Sequence, residues 1–174
     1  KKKKNKKYSR QYRTLFCARC KPGRLSVQPK KQILTVADFG EKNRKNGHGV
    51  DNNRNYDYYV NGNPANGVWG GEGTSGNTNS DVYRGTGPFS EVENQAMKWF
   101  VENHDFMMAF NNHSFGDLLL YPYGYADNVP TPEDALFKAV GDELVSKNGF
   151  TNQLSSDFCP AAGDSDDFIF FFFF

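Results

Sequence analysis

Hydrophobic positions in the second half of the chain form one apolar run preceded by a segment of helical periodicity. The run Phe106–Asn111 has the length and character of a buried strand, and His113 follows at its carboxyl end. A helix is predicted to begin at Ser90, where Ser90 and Glu93 form a capping box, and to run to about His104. The pattern therefore predicts a helix that leads into a strand carrying a histidine at its end.

The sequence pattern predicts further strands and helices. Gln32–Ala37 is a plausible short strand, and Thr131 with Pro132 marks the start of a second helix that Gly149 ends. The predicted apolar faces are Ala96, Trp99 and Phe100 on the first helix and Leu136, Val140 and Leu144 on the second. Strands that alternate with helices indicate an α/β fold with a mixed or parallel sheet.

Long polar segments separate these elements. Residues 61–80 are rich in Asn and Gly and predict a long surface loop, of the kind that often forms the rim of a functional site. The chain has 174 residues, 37% of them hydrophobic and 17 of them Gly, which fits one polar globular domain. A coiled coil and a disordered tail are both excluded by this composition.

Charge is distributed unevenly although the formal net charge is only +1. Basic residues crowd the first 31 positions, and the acidic residues fall mostly after Asp51. Such a basic head is typical of an arm that binds nucleic acid, or of a solvated tail. We favour the solvated tail, because the segment lacks helical periodicity and contains no recognisable binding module.

The two tips are homopolymers. The chain opens with Lys1–Lys4 and closes with Phe170–Phe174, which are the translations of poly-A and poly-T stretches. We expect both tips to be artefacts of translation or assembly that flank an internal piece of a larger gene. Five phenylalanines are too few to cross a bilayer, which needs roughly 20 apolar residues, and the lysine-rich start shows no secretory signal.

Three cysteines are present. Cys17 and Cys20 have the C-x-x-C spacing found in half of a zinc site or in a redox pair, and Cys159 stands alone. A second half of a zinc motif does not follow in the sequence. We therefore expect the spacing to be accidental.

Two stretches of the sequence contain residues that could bind a metal ion or a carboxylate. A neutral imidazole such as His113 suits zinc, and the planar fork of Arg54 matches a carboxylate bidentately. Beside Asn53, this arginine has the properties that recognition of a free peptide C-terminus requires. The competing interpretation is that Arg54 pairs with a local acid such as Asp51 or Asp57.

Both stretches resemble the zinc metallocarboxypeptidases of the carboxypeptidase A, B and T group, particularly the secreted bacterial members. The similar segments are Gly-Val-Asp-Asn-Asn-Arg-Asn-Tyr at 49–56 and His-Ser-Phe-Gly-Asp-Leu-Leu-Leu-Tyr-Pro-Tyr-Gly-Tyr at 113–125. Weaker similarity at 80–91 and 160–168 extends the resemblance over about residues 41–168. It implies part of the mixed-sheet, three-layer (phosphorylase/hydrolase-like) fold of the zinc carboxypeptidases.

The resemblance also implies roles. His113 takes the place of a Zn²⁺ ligand, Asn53 and Arg54 that of the pair that grips the substrate's terminal carboxylate, and Ser114 that of a residue lining the pocket. The implied activity is removal of C-terminal residues from peptides or proteins by metal-activated water. The implied location is extracellular or periplasmic, and neither nucleic acid nor membrane is an expected partner.

Several family features are missing from the sequence. The His-x-x-Glu motif that supplies two zinc ligands is absent, since no histidine precedes His48. Glu41 stands where the family has an arginine, whose role is then empty or shifted to Arg44, and the catalytic glutamate would lie beyond Phe168. No catalytic residue is therefore assigned, and we expect the chain alone to be inactive, with weak or absent zinc binding.

The expected organisation is a basic, unassigned segment at 1–38, a partial zinc carboxypeptidase-like domain at 39–168 and a phenylalanine run at 169–174. Two alternatives for the function stay open. One is a non-catalytic relative that binds peptide C-termini, and the other is a nucleic-acid-binding protein with a basic head.

Overall fold

The computed structural model describes the backbone of residues 13–18, 32–37, 44–113 and 116–173, and the side chains of 44–113 and 116–170. The described residues form five strands, β1 (Arg13–Ala18), β2 (Gln32–Ala37), β3 (Phe106–His113), β4 (Leu118–Tyr121) and β5 (Thr151–Leu154). Four α-helices lie in these parts of the chain: α1 (Val92–Glu102), α2 (Asp134–Val145), α3 (Ser155–Phe158) and α4 (Ser165–Phe173). Short 3-10 turns at Asn52–Arg54, Val60–Gly62 and Pro64–Asn66 interrupt the long loops.

The described strands form one mixed sheet in the order β2-β3-β1-β4-β5. Strand β3 pairs antiparallel with β1 and parallel with β2, while β4 pairs parallel with both β1 and β5. This arrangement confirms the α/β interpretation and the predicted strands at Gln32–Ala37 and Phe106–Asn111. Strand β3 extends two residues further than expected, so that His113 is its last residue.

The core lies where α2 and α4 cover the sheet. Helix α4 packs on β1 and β3, and α2 packs on β4 and β5. Val101, Phe137 and Ile169 are almost completely buried there, and each such side chain contributes about 1.5 to 3 kcal/mol by leaving water. Among the described helices, none has the length and the apolar character needed to cross a bilayer.

Helix α4 continues past residue 168, where the sequence predicts the end of the domain and the start of the phenylalanine run. Phe168 and Phe170 are both buried, and they contact Tyr56 and Tyr123 respectively through their rings. The proposed artefactual nature of residues 169–174 stays a prediction.

The expected capping box of α1 is wrong. The helix begins at Val92 with Glu91 as its N-cap and without a side-chain cap. Ser90 Oγ instead donates to Glu91 at 2.8 Å and accepts from Asn55 Nδ2 at 3.0 Å. The Ser90 hydroxyl therefore forms a tertiary hydrogen bond instead of the helix cap that the local sequence predicts.

The predicted apolar faces of the helices are mostly wrong, although Val140 on α2 does pack against the core. Helix α1 buries Asn94 and Val101, whereas the side chain of Trp99 is 62% exposed. Helix α2 buries Phe137 and Gly141, and a side chain at Gly141 would collide with Asn152 on β5. Since a helix can bury either of two overlapping stripes, the position of the sheet decides which one is covered.

Replacement of Leu136 or Leu144 by serine is expected to change the free energy of unfolding by less than about 0.5 kcal/mol, as for most surface sites. Both side chains are nearly half exposed, at 48% and 44%, although the sequence pattern assigned them to the core. Urea unfolding of the full chain followed by circular dichroism measures the effect. A loss above 1.5 kcal/mol for either variant would contradict this packing.

Candidate functional site

The Asn52–Arg54 turn is held by the residue that precedes it. Asp51 is buried, its carboxylate accepts from the Asn53 backbone N–H at 3.1 Å, and its carbonyl oxygen accepts from the Arg54 N–H at 2.9 Å. Arg44 Nε donates to the same carboxylate at 2.7 Å. This local capping forms the turn without using the side chains of Asn53 or Arg54.

The next residue anchors the turn to the segment before α1. Asn55 is fully buried, and its Nδ2 donates to the carbonyl oxygens of Arg84 and Gly87 at 2.8 and 3.0 Å. Its Oδ1 accepts from the Glu91 N–H at 3.2 Å. Because both ends of this buried amide are satisfied, the turn is fixed in position relative to the rest of the fold.

Arg54 is 6% exposed, and its guanidinium is oriented by backbone carbonyl groups. Nε donates to the Gly73 oxygen at 2.9 Å, and Nη1 donates to the Asn53 oxygen at 2.7 Å. Within the described residues, no carboxylate forms an ion pair with Arg54 and Nη2 makes no hydrogen bond. Donors therefore remain for an incoming anion.

The local acids offered as alternative partners of Arg54 are engaged elsewhere. Asp51 pairs with Arg44 at 2.7 Å. Asp57 accepts from the backbone N–H groups of Tyr58, Val68 and Trp69 at 2.9 to 3.0 Å. The interpretation of Arg54 as a simple loop ion pair is not supported by these contacts.

Asn53 is joined to the first residue of α4. Its Oδ1 accepts from both the backbone N–H and the hydroxyl of Ser165, each at 3.0 Å. The first N–H groups of a helix have no partner within the helix, so the Asn53 side chain completes the N-terminus of α4. Asn53 Nδ2 makes no hydrogen bond within the described residues.

His113 lies on the strand that reaches the same place. Two residues earlier on β3, the buried Asn111 donates from Nδ2 to Ser165 Oγ at 3.0 Å and to Asp166 Oδ1 at 2.9 Å. The end of β3, the start of α4 and the turn of Asn53 therefore meet at Ser165. The structure thus brings Asn53 and Arg54 to the region near His113.

Three buried carboxyl groups surround this meeting point. Burial, with the charges of Asp167 and Asp166, raises the pKa of Asp164 well above its ordinary value, while Arg54 opposes the shift. Burial also raises the pKa of Asp166, against the opposing effect of the charge on His113. Burial thus makes the charged forms of both carboxyl groups less favourable than they are in water.

The described residues do not form a complete metal site. Within residues 44–113 and 116–170, no three His, Cys, Asp or Glu side chains lie together as a metal ion requires. His113 is thus a single candidate ligand, whereas catalytic zinc takes three protein ligands. Ser114 and Cys20 lie outside the described residues, and only the backbone of Cys17 is described.

Sequence reasoning missed two residues of this site. Ser165 contacts Asn53 although 112 positions separate them, and Gly73 lies 19 positions from Arg54. In the sequence, the segment 160–168 is distinguished only by its resemblance to the family. No local signal connects such distant positions, because their contact depends on how α4 docks on the sheet.

The family of the chain is established by comparison with known proteins. A family model described as zinc carboxypeptidase matches residues 32–172. The chain belongs to the zinc carboxypeptidase family. This match confirms the family resemblance, and it gives no support to a nucleic-acid-binding protein or to a purely non-catalytic binding protein.

Individual proteins similar in sequence to this chain are also carboxypeptidases. Carboxypeptidase A1 of Sus scrofa is 43% identical over 89 residues, which are 51% of this chain and 19% of that protein. Carboxypeptidase A4 of Mus musculus is 35% identical over 126 residues, which are 68% of this chain and 28% of that protein. The chain thus spans less than a third of the length of these relatives.

Solved structures show the same fold. The crystal structure of thrombin activatable fibrinolysis inhibitor matches 77% of this chain and 33% of its own, with a TM-score of 0.51 and 23% identity. Carboxypeptidase A from Helicoverpa armigera matches 69% of this chain and 29% of its own, with a TM-score of 0.52 and 23% identity. The expected fold, a partial carboxypeptidase-like mixed-sheet architecture, is confirmed.

Proposed function

We propose that this chain supplies the substrate-carboxylate-binding part of a zinc carboxypeptidase, an enzyme that removes C-terminal residues from peptides or proteins. The observation that carries the proposal is the buried guanidinium of Arg54. Two backbone carbonyl groups hold it at 2.9 and 2.7 Å, and it has no ion-pair partner among the described residues. A buried arginine in this state favours binding of an anion.

Asn53 extends the proposed site beside Arg54. Its Nδ2 offers two N–H donors that no described residue uses. Together the amide and the guanidinium offer the donors that a terminal carboxylate, with its two oxygens, can accept. Ser114 is proposed to line the pocket, and His113 to be the zinc ligand, on the strength of the family resemblance.

The proposed work of these residues is to bind and orient the end of the substrate. Fixing the terminal carboxylate determines which peptide bond lies at the reacting centre, since only one bond is at the required distance from it. His113 alone does not hold a catalytic metal, so this chain by itself is expected to bind free-acid peptides without hydrolysing them. For the whole protein, an extracellular or periplasmic location is part of the same proposal.

Binding of matched peptides tests the proposal. N-acetyl tripeptides ending in alanine, phenylalanine, lysine or glutamate are each titrated as the free acid and as the C-terminal amide by isothermal titration calorimetry. We expect the free acid to bind at least about tenfold more tightly, since hydrogen bonds to a charged group contribute about 1.5 to 3 kcal/mol. Equal affinities in all four pairs would overturn the proposed site.

The same peptides test the expected lack of activity. Incubation with the chain, with and without added zinc, followed by mass spectrometry, is expected to show no loss of the last residue. Zinc-dependent shortening of the free acids would show that the chain builds a complete catalytic centre, contrary to this expectation.

A further inference from the structure

We infer that Ser165 is a positioning residue for the proposed carboxylate site, because it holds the side-chain amide of Asn53 in one orientation. The inference rests on the proposed function of Asn53 and Arg54. It adds a residue from α4 that itself does not contact the carboxylate. Three contacts of the serine with Asn53 and Asn111, and its own burial, carry the argument.

The backbone of Ser165 determines which end of the Asn53 amide faces α4. A backbone N–H group only donates, so the Asn53 atom at 3.0 Å from it has to be the oxygen. The oxygen and nitrogen of a carboxamide lie on opposite sides of its carbon. Asn53 Nδ2 therefore faces away from α4 and stays available to a ligand.

The hydroxyl of Ser165 reinforces the same orientation. Asn111 Nδ2 donates to Ser165 Oγ at 3.0 Å, so the serine oxygen acts as an acceptor toward β3. Its single hydrogen is then directed to Asn53 Oδ1 at 3.0 Å in preference to Asp166 Oδ1 at 3.4 Å. The chain Asn111–Ser165–Asn53 thus links the end of the strand that bears His113 to the proposed carboxylate site.

The segment before α4 places Ser165 rigidly. Gly163 has φ +77°, and a Cβ at this position would lie 2.9 Å from the carbonyl oxygens of both Arg54 and Tyr56. Only glycine permits this approach, and its own oxygen accepts from the Tyr56 N–H at 3.1 Å. Ser165 is 8% exposed, so water competes little for its hydrogen bonds.

Ser165→Ala tests the inference by removing the hydroxyl while keeping the backbone contact. We expect affinity for the free-acid tripeptides to fall by about 3- to 10-fold, the effect of one net hydrogen bond. Affinity for the matched amides should stay unchanged, so that the ratio between the two forms falls. Ser156→Ala is the control, because Ser156 is 3% exposed and its Oγ has no hydrogen-bond partner in the described structure.

A double-mutant cycle distinguishes positioning from a general loss of stability. If Ser165 acts through Asn53, Ser165→Ala should have no further effect on free-acid affinity in an Asn53→Ala background. Additive losses in the double variant, or an unchanged acid-to-amide ratio in Ser165→Ala, would overturn the inference.

The test also separates this inference from the proposed function. If free acids bind tightly and Arg54→Ala abolishes that preference while Ser165→Ala behaves like Ser156→Ala, only the role of Ser165 fails. If the wild-type chain does not distinguish acids from amides, the proposed function fails and the role of Ser165 fails with it.

Discussion

Arg54→Ala is expected to weaken binding of free-acid peptides by about 30- to 1,000-fold, because truncating one partner of a buried charge pair costs about 2 to 4 kcal/mol. The guanidinium is 6% exposed and held by the oxygens of Gly73 and Asn53. Its attraction for a carboxylate is therefore weakly screened and needs little reorganisation on binding. Isothermal titration with the acid and amide tripeptides measures the change.

Two further variants identify the cause of such a loss. Arg54→Lys keeps the charge and loses the planar fork, so it should recover only part of the affinity. Lys138→Ala removes one exposed positive charge, which pairs with Asp142 at 3.1 Å, and should leave affinity unchanged. The proposed site would be contradicted by an Arg54→Ala variant that folds and still prefers free acids.

The stability of the chain is expected to fall as the pH rises from 5 to 8, and Asp167 should be a principal cause. Burial and the charge of Asp166 raise the pKa of Asp167 from 3.8 to about 7, in spite of hydrogen bonds from Gly124, Tyr58 and Tyr125. The folded state keeps this proton to a higher pH than the unfolded state does. Stability is therefore highest below the unfolded pKa and is lost as the pH rises through the folded pKa.

One such group changes the free energy of unfolding by at most about 1.4 kcal/mol per pH unit. The shift of the Asp167 pKa from 3.8 to about 7 therefore amounts to about 4 kcal/mol between these two pH values. The raised pKa values of Asp164 and Asp166 act in the same direction. Glu91 acts oppositely, because hydrogen bonds from Asn46 and other neighbours lower its pKa despite burial. A scan from pH 5 to 8 lies above the range in which Glu91 loses its charge.

Asp167→Asn should flatten this dependence. The variant can keep an oxygen at the Oδ2 position, which accepts from the Gly124 and Tyr125 N–H groups, each at 2.9 Å, but it cannot ionise. Urea unfolding at pH 5, 6, 7 and 8 measures the slope. Asp142→Asn is the control, since Asp142 is exposed and its pKa is lowered by Asn152 and Lys138. Identical slopes for wild type and Asp167→Asn would rule out this assignment.

The core of the proposed site could be read from local sequence. Asn53 and Arg54 lie in a turn whose hydrogen bonds come from Asp51, only two and three positions away. His113 ends a strand whose apolar run is visible in the sequence. The apolar run is a local signal that predicts the strand, whereas Asn53 and Arg54 are identified by the resemblance of their motif and not by a predicted turn. The roles of Asn53, Arg54, Ser114 and His113 stay predictions.

Helix capping and helix faces could not be read in the same way. Ser90 and Glu93 match a capping box, yet the buried Asn55 binds the serine hydroxyl from 35 positions away. The sequence pattern predicts Trp99 in the core, but its side chain is 62% exposed. In both cases the local preference is worth about 1 kcal/mol or less, and tertiary packing overrides it.

By itself the sequence determined the α/β class and the apolar strand that leads to His113, and its motif singled out Asn53 and Arg54. These features depend on hydrophobic periodicity and on a motif of residues adjacent in the sequence. Only the tertiary structure decided which residues complete the site. Gly73 orients Arg54 and Ser165 orients Asn53 because the docking of α4 and of the glycine-rich loop brings distant backbone groups within 3.0 Å. Such contacts follow from the packing of whole helices and loops, so the pattern of residues along the sequence does not predict them.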